Sequence, residues 1–382
     1  MMVMGIAGNG ASYKILQEAG IDDADLIIAV TGSDELNLLC CTIATQVGNC
    51  AAIARVRTPE YSQEAKYLRD KLGLALIINP ELEAAIEMAH ILHLPSSLEV
   101  TNFAHGQAQL IKYEIPEGSI LDGTKLMDLG TRHHANILIG AVERDDEVTI
   151  PSGDFVLRKG DKLSFVGERR HTKEFFSHIG VNTHSVKNTL IIGGGKAAYY
   201  LAKQLISRGI KVKIIENSFE RCEELSILLP DAVIINGDGT EQALLKEEGI
   251  ETCQSFVPLT GIDEENIMLT LYAKQVSNAK VITKLNRITF TNVINSLDLG
   301  SVISPKYITS EAIIAYVRAK KNSMNCNIET LYHMYDSRVE AIEFFVSENS
   351  NVTDIPLRDL KLKKHLHHML HQPKRQNYHS YR

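Results

Sequence analysis

Short apolar runs recur along the chain at intervals that leave room for helices. They lie at Leu26–Val30, Asn188–Ile192, Val212–Ile215, Ala232–Ile235 and Ser255–Leu259, and a polar residue or a glycine closes each one. The run at Asn188–Ile192 leads into Gly193-Gly194-Gly195-Lys196-Ala197-Ala198 and then a helical stretch to about Arg208. The second run of that region ends at Glu216, the third enters Asn236-Gly237-Asp238-Gly239-Thr240, and the fourth ends at Thr260-Gly261. Strands alternating with helices of ten or more residues predict a parallel, doubly wound sheet with right-handed crossovers. Leu98 to about Gly180 reads differently. Its shorter strands, Ala108–Ile115, Ile137–Val142, Asp154–Arg158 and Lys162–Val166, lie among Gly and Pro turns, which predicts a small α+β module. Val339–Val346 followed by Asn351 to Leu362 resembles the start of that module again.

The chain repeats itself. Gly8–Arg57 falls on Gly237–Asn286 at a constant offset of 229 with no gap. Identical pairs include Gly8/Gly237, Gly10/Gly239, Gly20/Gly249, Thr31/Thr260, Gly32/Gly261, Asp34/Asp263, Glu35/Glu264 and Asn37/Asn266. Duplication of this kind means one supersecondary unit used twice, so both copies should share a fold and a kind of site. The expected fold class is α/β: repeated Rossmann-like domains, each a doubly wound parallel sheet, alternating with small α+β modules. The expected divisions are 1–95, 96–183, 184–320 and 321–382, with hinges near Pro95 and His184.

Composition narrows the function classes. A chain of 382 residues exceeds one ordinary domain, and 44% apolar with 23% charged residues suits several buried cores. A formal charge of -7 argues against an extended nucleic-acid groove, which needs a local excess of Lys and Arg. The cysteines Cys40, Cys41, Cys50, Cys222, Cys253 and Cys326 form no C-x-x-C pair and no zinc-ligand spacing, so structural thiols in a reducing compartment are expected. Apolar runs stay far below the roughly 18 residues of a membrane-spanning helix. Met1–Ile6 shows no basic region followed by a long apolar segment, hence no secretory signal, and a cytoplasmic protein is expected.

The chemistry gathers at glycine turns and strand ends. Gly193-x-Gly195-x-x-Ala198 between strand and helix is the dinucleotide fingerprint, whose glycines let backbone N–H groups approach a pyrophosphate at a helix N-terminus. Glu216 is the acid about 20 residues on, placed to accept hydrogen bonds from ribose hydroxyls. It would repel a 2′-phosphate, so NAD(H) or an adenine nucleotide is preferred over NADP(H). Asp238-Gly239 and its counterpart Asn9-Gly10 either face an adenine ring or supply a helix N-cap. Thr31-Gly32 and Thr260-Gly261 end their strands at the carboxyl edge, where ligands of open α/β folds bind. Asp34-Glu35 and Asp263-Glu264 begin the next helices, where acids suit the N-terminus. Arg55, Arg57 and Lys284 sit at or after the following strand ends, either meeting phosphate oxygens or standing solvated. His133-His134 and His365, His367, His368 and His371 lack the acid or thiol that would complete a metal site, so no metal is expected. No Ser-His-Asp, Cys-His or acid–base pair falls beside the glycine turns, which predicts a sensor and not an enzyme.

At these residues the chain resembles the TrkA-type regulatory subunits of bacterial and archaeal potassium uptake, whose tandem RCK domains alternate nucleotide-binding and small C-terminal modules. The segments that carry the likeness are Glu18–Asp25, Ala29–Asn37, Ile53–Arg57, Gly237–Thr240 and Asp263–Met268. The resemblance implies a nucleotide-sensing cytosolic subunit, peripheral on the inner face of the plasma membrane. Its partner would be a TrkH-type potassium-translocating membrane subunit, its assembly a homo-oligomeric ring, by resemblance a tetramer. It would bind NAD(H) and/or ATP/ADP. It places Thr31, Gly32 and Arg55 in a first nucleotide site and Gly193 to Ala198 with Glu216 in a second.

Two departures from the family's pattern carry expectations. The chain begins at what reads as the third strand of the first domain, without its glycine fingerprint and acid, so the first site should bind poorly or not at all. After Lys364 the chain reads His365-Leu366-His367-His368 and ends basic, as a frameshifted or truncated product would. The last module is then expected to leave Ile342, Phe344 and Phe345 incompletely buried, with an exposed apolar edge. The competing function is an NAD-dependent oxidoreductase with the α+β module as substrate domain. A structural remnant that binds nothing is the third.

Overall fold

The computed structural model describes residues 4–48, 50–94, 96–103, 108–132, 136–181, 183–287, 294, 297–322, 327–335, 338–345 and 355. His133, His134, Cys326 and everything from His365 onward lie outside them. The strands in chain order are β1 (Leu26–Ala29), β2 (Ala51–Arg55) and β3 (Leu76–Ile78); β4 (Glu99–Phe103), β5 (Ala108–Glu114), β6 (Leu138–Arg144), β7 (Glu147–Thr149) and β8 (Lys162–Glu168); β9 (Asn188–Ile192), β10 (Lys211–Glu216), β11 (Val233–Asn236), β12 (Ser255–Pro258), β13 (Lys280–Lys284) and β14 (Ser301–Ile303); and β15 (Asn327–Met334) with β16 (Val339–Phe345). They fold into two compact units, Met1–Leu92 with Val186–Ile314, and His93–Ser185 with Ala315–Arg382.

The first unit holds both parallel sheets. β9 to β14 pair all-parallel in the order β11-β10-β9-β12-β13-β14, the doubly wound arrangement in which strand order reverses between β9 and β12. Both faces of this sheet are covered, which is why consecutive residues such as Leu190–Ile192, Ile214–Ile215 and Val281–Ile282 are apolar. Ile191, Ile214, Val257 and Ile282 pack on one side with the helix Lys196–Ile206, while Leu190, Ile192, Ile215, Phe256 and Val281 pack on the other with Leu245 and Leu269. The smaller sheet runs β1-β2-β3, also parallel. The offset of 229 carries Leu26–Ala29 onto Ser255–Pro258, so β1 and β12 are equivalent strands, each followed by a 14-residue helix, Asp34–Val47 and Asp263–Val276. The helix Pro80–His93 buries Ala84, Ala85, Met88, Ala89, Ile91 and Leu92 in the same core as Leu201 and Leu205 of the second copy.

The second unit is antiparallel. Its sheet runs β4-β5-β8-β6-β7 and packs Ile111, Tyr113, Leu163 and Phe165 against Phe175 and Phe176 of the helix Arg169–His178. Asp145 and Asp146, both at positive φ, turn β6 into β7, a hairpin absent from the sequence expectation. Asp154–Arg158, expected as a strand, forms only a bridge from Val156 to Lys125. The hairpin of β15 and β16 seats Met334, Tyr335 and Ala341 on Ala108, Leu110, Ala141 and Val166. The Tyr335 hydroxyl donates to Lys162 O at 2.9 Å and accepts from Ser164 Oγ at 2.7 Å. Ile342 is 45% exposed, as expected; the Phe344 and Phe345 side chains lie outside the described residues.

Candidate nucleotide site

The glycine loop sits at the reversal point. β9 ends at Ile192, the Gly193 N–H continues the ladder to Ile215 O at 2.8 Å, and the helix begins at Lys196 with Gly195 as its N-cap and no side chain capping it. Gly193 takes φ 94, a left-handed conformation that L side chains rarely adopt, and a Cβ there would also stand 3.0 Å from Leu259 O on the neighbouring strand end. At Gly194 a Cβ would meet Leu225 Cδ1 at 2.6 Å, so this glycine lets helix and strand close up. A Cβ on Gly195 meets no atom within 4 Å. Two glycines therefore serve the fold, and the third faces open space in front of the helix N-terminus, where partial positive charge collects. Ala197 and Ala198, both buried, root the first turn in the core.

Glu216 closes the loop. Its Oε2 accepts the Gly194 N–H at 2.6 Å and its Oε1 the Ser218 N–H at 2.8 Å. Each carboxylate oxygen has a second lone pair for a ribose hydroxyl. Sequence reasoning missed Arg221, whose Nε donates to Gly194 O at 2.7 Å and whose Nη1 pairs with Glu224 at 2.6 Å. The available signal was a cation in the first turn of the helix after the acid.

Asp238 and Asn9 are not helix N-caps, because Glu241 and Ser12 hold those positions. Asp238 Oδ1 accepts from Thr240 N at 2.9 Å and Thr240 Oγ1 at 2.7 Å, which lower its pKa; Asn9 Oδ1 takes the Ala11 N–H at 3.0 Å. Gly239 has a packing reason, since a Cβ would collide with Ile192 Cγ2, and Gly10 lies against Cys40 Sγ.

At the other strand ends the two copies repeat a device that sequence reasoning overlooked. Asn266, fully buried, accepts the Thr260 N–H at 3.0 Å and donates to Thr260 O at 3.3 Å and Lys284 O at 3.0 Å. Asn37 does the same between Thr31 and Arg55, at 2.7, 3.3 and 2.9 Å. Thr260 Oγ1 and Thr31 Oγ1 bridge to Ile262 O and Ser33 O, leaving Gly261 and Gly32 exposed at the edge. Asp34 and Asp263 do more than suit a helix N-terminus. Asp34 Oδ2 accepts from Arg57 N, Thr58 N and Thr58 Oγ1 at 2.8, 2.7 and 2.7 Å, and Asp263 holds the Asn286 and Arg287 N–H groups at 2.8 Å each. Burial alone would raise the Asp34 pKa. The bonds from Thr58 and Arg57, aided by the charge of Lys196, outweigh it and lower the pKa.

Arg55, Arg57 and Lys284 are not solvated strand ends. Arg55 Nη2 donates to Thr31 O at 2.6 Å, Arg57 Nη2 to Gly32 O at 2.6 Å, and Lys284 Nζ lies 3.4 Å from Leu259 O. Burial lowers the pKa of both Arg55 and Lys284, and the nearby Glu81 carboxylate opposes the shift in each. Lys196 turns from its own loop toward the first copy, with Nζ 3.1 Å from Thr58 Oγ1.

The TrkA-N domain family model matches residues 2–80 and again 189–305, and the TrkA-C domain model matches 110–180. The chain is 33% identical over 370 residues to Trk system potassium uptake protein trkA homolog 1 of Methanosarcina mazei, covering 95% of this chain and 89% of that one. It is 32% identical to the TrkA homolog of Archaeoglobus fulgidus, covering 95% and 80%. It is 30% identical to TrkA of Halomonas elongata, covering 94% and 78%. Among solved structures, the GsuK RCK domain superposes with a TM-score of 0.64 at 20% identity, over 84% of this chain and 68% of that one. The GsuK channel bound to NAD gives 0.63 at 19%, over 85% and 57%.

Proposed function

Because the chain belongs to the TrkA family of Trk-system potassium uptake proteins, we propose that it is a nucleotide-sensing regulatory subunit that controls potassium flux through a membrane partner. The observation that carries the reading is the Glu216–Gly194 bond at the reversal point of the sheet, which ties ribose-binding acid and phosphate loop into one site. The ligand is NAD(H) and/or ATP/ADP, with the ribose on Glu216, the phosphates over Gly195 to Ala198, and Thr260, Gly261 and Lys284 at the far side of the crevice. Asp238-Gly239 flank the adenosine end. In the first copy Thr31, Gly32, Arg55 and Arg57 with Asn9-Gly10 form the matching edge. The relatives' name, Trk system, supports a TrkH-type translocating subunit as partner. The ring of subunits, the peripheral position on the inner membrane face and the absence of catalysis belong to the same reading, which requires no reacting residue. Among the described residues no helix is long and apolar enough to cross a membrane.

Calorimetric titration with ATP, ADP, NAD and NADH tests it. Saturable binding lost in Gly195→Asp and Glu216→Ala is expected. Well-folded protein that binds none of the four overturns the reading, and NADH turnover with a panel of small carbonyl compounds would replace it with the oxidoreductase.

A further inference from the structure

The helix that faces the phosphates is fastened to the other copy at two points. Lys196 Nζ donates to Thr58 Oγ1 at 3.1 Å, and Thr58 Oγ1 in turn donates to Asp34 Oδ2 at 2.7 Å. Four residues on, and so on the same helix face, the buried Tyr200 hydroxyl donates to Arg57 O at 2.9 Å and accepts from Asn79 Nδ2 at 3.0 Å. Asn79 Nδ2 also reaches Ser62 Oγ at 2.5 Å. Both points fall on the loop that follows β2, the loop that puts Arg57 on Gly32 O at 2.6 Å. A line of hydrogen-bonded and covalently adjacent groups thus runs from Glu216 and Gly194 through Lys196 to Thr58, Asp34 and the edge of the first copy.

The two fastenings differ in kind. Tyr200 is enclosed and has no reason to let go. Lys196 is half-buried, and its ammonium is a compact charge on a flexible stem at the first position of a helix whose N-terminus attracts anions. Thr58 and a phosphate group compete for that ammonium. Such competition makes a two-state element that a ligand can bias.

We propose that Lys196 is the positioning residue that couples the two copies: a diphosphate at the Gly195–Ala198 turn draws its ammonium off Thr58, and the segment Arg57–Ser62 of the first copy, a short loop that runs into the helix Pro59–Gln63 with Thr58 as its N-cap, loosens about the Tyr200 pivot. This rests on the nucleotide reading above and adds a direction to it. Reciprocity then requires that weakening the Lys196–Thr58 contact strengthens nucleotide binding by the factor with which the nucleotide weakens the contact.

The experiment is hydrogen–deuterium exchange over residues 56–63 of the full chain with and without saturating NADH, beside calorimetry, in wild type, Thr58→Val and Thr58→Ser. In wild type NADH is expected to speed exchange of this loop by about fivefold, the low end of coupling between linked sites. Thr58→Val, which also frees Asp34 Oδ2 of one hydrogen bond, should exchange at the raised rate or faster without ligand, respond no further to NADH, and bind NADH tighter by about fivefold. Thr58→Ser keeps the hydroxyl and should behave as wild type. Should the valine variant not fold, Lys196→Met carries the test, because its ligand-free loop must already exchange at the raised rate. Wild-type binding with unaltered loop exchange, weaker binding by Thr58→Val, or a wild-type exchange rate in ligand-free Lys196→Met overturns the coupling and leaves the nucleotide site standing. Absence of binding by wild type overturns both.

Discussion

The Gly194 N–H and the Glu216 carboxylate lie 2.6 Å apart, so the acid that would read the ribose also holds the phosphate loop in place. Replacing the acid with its amide separates these duties. Glu216→Gln loses the charge and keeps one acceptor, which serves Gly194 while the amide NH2 faces the Ser218 N–H. Hydrogen bonds to charged groups contribute about 1.5–3 kcal/mol, so NADH affinity should fall by roughly tenfold or more. Discrimination against NADPH should fall with it, since the repulsion of a 2′-phosphate is gone. Parallel titrations of both dinucleotides check this, and an amide variant that still rejects NADPH argues that shape, not charge, excludes the phosphate.

The glycines divide by what surrounds them. Gly195→Ala meets empty space and should fold with an unchanged melting temperature, while Gly195→Asp should also fold and fail to bind. Gly239→Ala forces a Cβ into Ile192 and should destabilise by about 1–3 kcal/mol, the usual cost of overfilling a packed site. Thermal melts beside titrations distinguish the two classes.

Asn37 and Asn266 make a third test. Each amide accepts one N–H and donates to two carbonyls in a fully buried position. Asn266→Asp turns a carboxylate toward Thr260 O and Lys284 O, leaving those acceptors unpaired at about 1–3 kcal/mol each. Lower thermal stability and faster amide exchange at the ends of β12 and β13 are expected. An aspartate variant as stable as wild type would mean the bracket is dispensable.

Acid stability should carry the signature of Asp34. Its pKa is lowered in the folded chain, so the unfolded chain takes up the proton first. The stabilisation it provides is complete above about pH 4 and fades as pH falls through the folded value. In Asp34→Ala the melting temperature should be lower near neutrality by the cost of the orphaned Arg57 and Thr58 N–H groups. The gap to wild type should narrow below pH 4. A gap that stays constant down to pH 2 would show that Asp34 is protonated with its ordinary affinity.

What the sequence made legible was local or repeated. Gly193 to Ala198, Glu216 and the alternation of strands and helices are short-range signals. The offset of 229 transferred the reading of β12 to β1 correctly, residue for residue. What it hid was carried by side chains meeting across long separations. The Lys196–Thr58 contact joins positions 138 apart, and nothing near either residue announces it. The Asn37 and Asn266 brackets were visible as a repeated identity without a stated job, and only strand ends brought together in space supply one. Asp154–Arg158 misled because alternating apolar residues suit a bridge as well as a strand: its backbone pairs with the turn before the helix Leu126–Arg132, Leu126 N–H to Phe155 O at 3.0 Å and Leu157 N–H to Thr124 O at 2.9 Å, and not with a strand of the sheet.

The helix Pro80–His93 has a consequence for how the protein is made. Its apolar face shares a core with the helix Lys196–Ile206, and 113 positions separate Leu92 from Leu205. At a synthesis rate of about 5–20 residues per second, that face waits uncovered on the ribosome for on the order of ten seconds. The core around this helix is completed only when the second copy emerges, so its apolar face stays open during that interval.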